Sequence, residues 1–330
     1  MAKRRRRRSW SRTLLLIVFV SAAVYAGVHC FFRAPEVQAQ DDQEDTPAQE
    51  EQTDPEAAAA AAALAAHTER KDNFYTILVS GVDDGNGGSD TNILVAVDAE
   101  NGKIHGVSIP RDTKAVINGK NHKINFAYNS GGSALLAQTI SEQLGIPVDF
   151  TVTVDLTGFI ALVDAIGGVD FYVPIDMNYD DPYQDLHIHL EKGYQKLNAE
   201  QAIGVVRFRH NNDGSGYPRQ DLDRAETQRN FLAALVSQTV TLSNVTKVTE
   251  LINILNEYVD TNMPLNDMIY FATAAIGMDL DAALKTGTLP GEWISPYYEL
   301  DDEGVLELVN ELLPVYTQPI TEDILNIRHR

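Results

Sequence analysis

The sequence predicts an α+β fold, with a mixed, largely antiparallel central sheet covered by helices on both faces. Three observations carry this. Residues 74–80, 91–97 and 103–109 are β-branched and apolar runs separated only by turns, and the second turn holds Asn101-Gly102, the strongest short hairpin signal. Helical patterns begin only after them. Strands and helices then mix without the strict strand-helix-strand repeat of a doubly wound nucleotide fold.

Taken in order, the chain opens on a basic tail, residues 1–12, in which Lys3, Arg4 to Arg8 and Arg12 supply seven of the 26 basic residues. Residues 13–32 follow without Asp, Glu, Lys or Arg, enough to cross roughly 30 Å of hydrocarbon as a helix. Arginines before this stretch and Asp41, Asp42, Glu44 and Asp45 after it predict a single-pass anchor with the N-terminus cytoplasmic and the body outside the cell membrane. A cleaved signal peptide is the competing reading, and the length of the apolar run favours the anchor. Cys30, the only cysteine, falls in that run, so the body is expected to hold no disulfide and no cysteine nucleophile. Residues 33–71 read as a spacer, first acidic and Gln-rich, then nearly pure alanine.

Residues 72–330 read as one folded domain. After the three strands, the pattern predicts helices over 133–144 and 156–166, strands over 149–154 and 169–173, and a surface loop over 176–185. A short helix over 199–206 leads into Arg207, and a long helix spans 219–241. The remainder predicts helices over 245–258, 265–276 and 305–313, with a strand over 283–289. His187-Ile188-His189 reads as a half-exposed strand rather than a metal site, for want of partner ligands.

Charge and loop chemistry then single out candidates. With the tail set aside, 19 basic residues stand against 47 acids, so the body carries -28 and repels nucleic acid. In such a chain Arg207, Arg209 and Arg224, within eighteen positions, need a local reason, and an anionic ligand is the obvious one. An arginine fork matches phosphate oxygens bidentately and stays charged. Arg224 and Gln228 lie four apart, on one helix face. Arg207 and Arg209, two apart, share a face if their segment is extended. Arg111 follows the third strand, where the chain can return toward Asp83, Asp84 and Asp90. Those aspartates flank a Gly-rich loop whose oxygens suit a hard divalent ion such as magnesium or manganese, and the same loop is also ordinary turn chemistry.

Five motifs in order then carry a family resemblance: Ser108-Ile109-Pro110-Arg111-Asp112-Thr113, His122-Lys123-Ile124-Asn125-Phe126-Ala127-Tyr128, Asp164-Ala165-Ile166-Gly167-Gly168-Val169, Leu197-Asn198-Ala199-Glu200-Gln201-Ala202 and Val206-Arg207-Phe208-Arg209-His210. The chain resembles the LytR-CpsA-Psr family over roughly residues 73–240. The resemblance implies a membrane-anchored phosphotransferase that moves a glycopolymer from a polyprenyl-pyrophosphate carrier to a peptidoglycan hydroxyl. It implies that Asp83 and Asp90 hold magnesium, with Asp84 as the alternative to Asp83. Arg111, Arg207 and Arg209 would grip phosphate, Arg224 and Gln228 would line the same site, and Lys123 and Asp112 would add substrate contacts. The general base is open between Asp90 and Asp112. Thr227 stands where the family often has arginine, and 211–220 departs from the family's loop. The lipid needs an apolar trough, and residues 159–163 and 231–235 are the candidates, most of them expected to be core. Two other classes remain: a polyprenyl-pyrophosphate pyrophosphatase with water as acceptor, and a non-catalytic regulator that senses lipid carriers.

Overall fold

Six strands form the central sheet of a computed structural model that describes residues 34–35, 69–82, 88–183, 186–239, 251, 254, 257–275 and 284–327. The basic tail, the expected membrane span with Cys30, most of the spacer, Asp83, Asp84 and most of the helix expected over 245–258 lie outside the described residues. Among the described residues no helix is long and apolar enough to cross a membrane.

The predicted meander is present as β1 (Phe74–Val82), β2 (Ser89–Asp98) and β3 (Lys103–Ser108), paired antiparallel with Ile77 opposite Val95 and Val95 opposite Gly106. The Asp98 carboxylate accepts from the backbone N–H of Asn101 at 3.0 Å, and Gly102 supplies the positive φ of 62° that the turn requires. A second hairpin, β4 (Lys114–Ile117) and β5 (Lys120–Lys123), leads into α1 (Asn125–Leu144). This helix starts eight residues before the expected 133, because the chain stays helical on both sides of a kink at Gly131 and Gly132. The two glycines hide the first turns from a pattern search.

β6 (Phe150–Val154) runs parallel to β1, and α2 (Leu156–Ile166) begins where the Asp155 side chain accepts from Gly158 N–H at 2.6 Å. β7 (Val169–Val173) follows. The expected surface loop over 176–185 is instead the first half of a hairpin, β8 (Met177–Asp181) with β9 (Leu186–Leu190). Only Met177 is buried in β8, so its outward acids and amides look like loop composition. His187 and His189 stand exposed on the outer face of β9, bonded to Asp180 at 2.6 Å and Asn178 at 2.7 Å.

β10 (Gly193–Leu197) pairs with β7 and leads into α3 (Ala199–Arg207) and α4 (Asp221–Thr239). The chain ends with β11 (Val259–Thr261), α5 (Leu265–Ala275), β12 (Leu284–Thr288), a hairpin of β13 (Gly291–Ile294) and β14 (Tyr297–Leu300), and α6 (Asp302–Leu312). The sheet order is β11-β6-β1-β2-β3-β12. The β1/β6 and β3/β12 pairs are parallel and the other three antiparallel, so the sheet is mixed.

Alternation along β1 separates the cores. Phe74 and Leu78 pack with Leu136 and Ile140 of α1 and Val305 and Val309 of α6. Tyr75 and Ile77 point the other way, to Tyr270 and Phe271 of α5, so helices cover both faces. A third cluster joins β7 to β10 with α2, α3 and α4, centred on Phe208 and Phe231. Each of these buried rings contributes roughly 1.5–3 kcal/mol over an exposed one.

Candidate active site

Local chemistry fixes the end of α3. Asn198 and Gln201 form a reciprocal capping box at its start, at 2.9 and 3.0 Å. The helix stops at Arg207, and Phe208 turns to extended backbone (φ -59°, ψ 134°) with its ring fully buried against Tyr217. Arg207 and Arg209 therefore flank a buried anchor at a helix end, not positions on a strand, and both line one cavity. α4 is tied to the same point, since the Gln228 amide donates to the Val206 carbonyl at 2.8 Å.

Two cavities meet beside this junction. The first, about 490 Å3, has an apolar wall that includes Phe159, Leu162, Phe231, Leu232 and Leu235, and a polar part made by Arg207, Arg209 and His210. Five of the ten residues in the expected trough segments thus face it. The second, about 530 Å3, is lined by Arg111, Asp112, Arg219, Thr288, Trp293 and Tyr298 among others. Asp90, Thr91, Arg224 and Gln228 line both, so they form the shared wall.

Ion pairs organise the second cavity. Arg111 pairs with Asp90, with both side chains about a third or more exposed, and its Nε lies 3.9 Å from Asp112. Lys123 lines neither cavity: its ammonium holds Asp112 at 2.8 Å and sits 5.4 Å from the Trp293 ring centre. Arg219 pairs with Asp223 and Glu226, at 2.5 and 2.7 Å. One layer deeper, Arg229 is buried and donates to Thr288 at 2.6 Å and Ser108 at 3.3 Å, two residues that line the second cavity. Among the described residues its Nε has no hydrogen-bond partner, and burial pulls its pKa below the usual guanidinium value.

The family model described as the LytR_cpsA_psr family matches residues 34–313. The chain belongs to this family. One curated LytR-CpsA-Psr relative is the Bacillus subtilis polyisoprenyl-teichoic acid-peptidoglycan teichoic acid transferase TagV, 32% identical over 203 residues, or 58% of this chain and 51% of TagV. The crystal structure of B. subtilis TagV superposes with a TM-score of 0.64 at 28% identity, covering 75% of this chain and 99% of the crystallised one. TagU of Bacillus cereus, named as the same kind of transferase, is 35% identical over 198 residues, 58% of this chain and 62% of TagU. The regulatory protein MsrR of Staphylococcus aureus is 33% identical over 227 residues, 67% of this chain and 66% of MsrR. The chain therefore spans about half to two thirds of the length of these relatives.

Of the expected metal ligands only Asp90 is described, a hard carboxylate of the type that suits magnesium or manganese and already paired with Arg111. Asp90 offers a hard carboxylate to both cavities beside the arginines, and magnesium is commonly held by one or two carboxylates together with substrate phosphates. Asp83 and Asp84, the other expected ligands, lie outside the described residues.

Arg219, Arg229, Trp293 and Tyr298 had no place in the sequence argument for the site. Arg229 carried no signal of its own, since only the structure shows that the side of α4 it shares with Ala225 faces the second cavity. Trp293 carried none, because it arrives from a hairpin seventy residues further on whose strand is exposed throughout. The 211–220 segment docks on β8, with Asn211 accepting from Asn178 N–H at 2.6 Å and Asn212 from Asp180 N–H at 2.7 Å.

Proposed function

We propose that the protein transfers a glycopolymer from a polyprenyl-pyrophosphate carrier to a hydroxyl of peptidoglycan. One observation supports the reading: a cavity with a broad apolar wall and Arg207 and Arg209 at one end shares Asp90, Arg224 and Gln228 with a second cavity lined mostly by charged and polar residues. A ligand that is greasy at one end and multiply anionic at its centre fits this pair better than a free phosphate or a neutral lipid does. The names of TagV and TagU describe the same class of reaction.

On this reading the polyprenyl tail lies against Phe159, Leu162 and Leu232, and the pyrophosphate lies among Arg207, Arg209, Arg224 and Arg111. The acceptor hydroxyl forms a bond to the phosphorus nearest the glycopolymer. The bond from that phosphorus to the bridging oxygen breaks, and lipid monophosphate leaves. The hydroxyl proton passes to a carboxylate, for which Asp90 and Asp112 are the candidates in the second cavity. The arginines face the negative charge as it moves onto the leaving oxygen, where fixed positive charge lowers the barrier. Magnesium or manganese, held by Asp90 with Asp83 or Asp84, would neutralise pyrophosphate charge when bound.

The test uses the purified chain, magnesium and a polyprenyl-pyrophosphate glycan. Donor is expected to be consumed only when peptidoglycan or its oligomers are present, and Arg207→Ala should slow this by about 10²-fold or more. Release of lipid phosphate at the same rate without acceptor would make the protein a pyrophosphatase instead. Full activity in Arg207→Ala would remove the assignment of the phosphate site.

A further inference from the structure

We infer that the second cavity is the acceptor subsite, and that Trp293 is the platform on which a sugar ring of the acceptor glycan stacks. The occupant rests on the transferase reading above; the platform rests on the cavity itself.

The direction of attack fixes the side from which the acceptor enters. In phosphoryl transfer the attacking and leaving oxygens stand roughly in line on opposite sides of the phosphorus. With lipid phosphate leaving toward the apolar cavity, the acceptor hydroxyl must arrive from the far side of Asp90, Arg224 and Gln228. That far side is the second cavity.

The lining of this cavity suits a sugar. A pyranose ring presents weakly positive C–H groups on its faces and hydroxyls around its edge. The negative face of an indole meets the former, and carboxylate, guanidinium and hydroxyl groups meet the latter. Trp293 supplies the indole, and Asp112, Arg219 and Thr288 supply the edge partners. Trp293 is 56% exposed, so it is not a core residue that happens to border a void.

Its ring is also held in place. Lys123 lies over it at 5.4 Å and is itself fixed by Asp112 at 2.8 Å. Across the hairpin, Tyr298 pairs with Trp293 in the strand register. The Tyr298 N–H donates to the Asp112 carbonyl at 2.9 Å, and its phenol donates to the Leu289 carbonyl at 3.1 Å. The platform is thus tied to the turn that carries Arg111 and Asp112, so a ring on Trp293 keeps a set distance from the carboxylates that face the incoming hydroxyl.

The full chain contains two tryptophans, Trp10 and Trp293, so a Trp10→Phe background leaves Trp293 as the sole indole. A tetrasaccharide of alternating N-acetylglucosamine and N-acetylmuramic acid, titrated into that protein, is expected to shift its tryptophan emission saturably. In transfer assays Trp293→Ala should raise the acceptor KM about tenfold, the size of a lost stacking contact, and leave the donor KM within about twofold. Trp293→Phe, which keeps an aromatic face, should restore most of the acceptor KM. Emission unmoved by the tetrasaccharide, or an unchanged acceptor KM in Trp293→Ala, would overturn the inference. So would a saturable shift produced by a soluble fragment of the transferred glycopolymer and not by the tetrasaccharide. Absence of any transfer by the parent protein counts against the transferase reading alone, because the emission titration still decides whether glycan sits on Trp293.

Discussion

A guanidinium and an ammonium carry the same charge, but only the first presents a planar fork to a phosphate, so substitutions at single arginines separate charge from geometry. Arg207→Ala is expected to lower kcat by about 10²–10³, the usual loss when one fixed donor to a developing anion is removed. Arg207→Lys should recover only part of it. The thermal unfolding midpoint should fall less in either variant than in Phe208→Ala, because the fully buried Phe208 ring anchors the helix end. Arg229 should behave in the opposite sense. Burying a guanidinium that forms no ion pair among the described residues costs stability, and replacing such a group with an apolar side chain is often neutral or stabilising. Arg229→Met is therefore expected to hold or raise Tm while lowering transfer about tenfold, since a positive charge behind Ser108 and Thr288 is lost from beneath the second cavity. A large fall in Tm with normal turnover would make Arg229 a structural residue only.

At the scale of elements, α4 does two jobs through one periodicity. Phe231, Leu232 and Leu235 face the first cavity, Arg224 and Gln228 form part of the shared wall, and Ala225 faces the second, with Arg229 on that same side. Leu232→Trp, which fills part of the apolar cavity, is expected to raise the KM for a long polyprenyl donor several-fold and to spare a short-chain donor; equal effects on both would detach this wall from the lipid. The same periodicity explains what could be read in advance. Arg207 and Arg209 stood out as positive charge in an acidic chain, and the Arg224/Gln228 face follows from helical spacing. The meander was legible from its β-branched runs and Asn101-Gly102. β8 was not, because Met177 is its one fully buried residue and the rest are acids, an amide and a half-buried tyrosine. The hairpin bearing Trp293 was not, because all four residues of β13 are exposed and leave no alternation to detect. Its approach to Arg111 depends on a bridge between Thr113 and Tyr298, a contact between distant parts of the chain that no local pattern encodes.

Across the whole molecule, charge and connectivity divide the labour. The body is strongly acidic outside the tail, and on the proposed reading an anionic donor is drawn to the place where Arg111, Arg207, Arg209 and Arg224 line the two adjoining cavities. The entry to the domain is stitched down. Lys71 N–H donates to Val315 and Thr317 N–H to Glu69, at 2.9 and 2.8 Å, and Arg70 pairs with the nearly buried Asp149. The pocket is thus built on a sheet whose two ends of sequence are held together.

A partition with an occupant on each side cannot answer to one of them alone. Asp90, Arg224 and Gln228 belong to both chambers, so a donor that draws Arg224 toward its phosphates also resets the surface on which the other substrate lands. Linkage makes this reciprocal: whatever factor the donor adds to acceptor affinity, the acceptor must return to the donor. Measured by calorimetry with a non-reacting donor analogue, the two factors are expected to agree and to fall at about 5-fold or more. Independent binding of the two would mean that the wall is rigid. Coupling of this kind would let the protein keep its reactive pyrophosphate from water until a second guest has arrived.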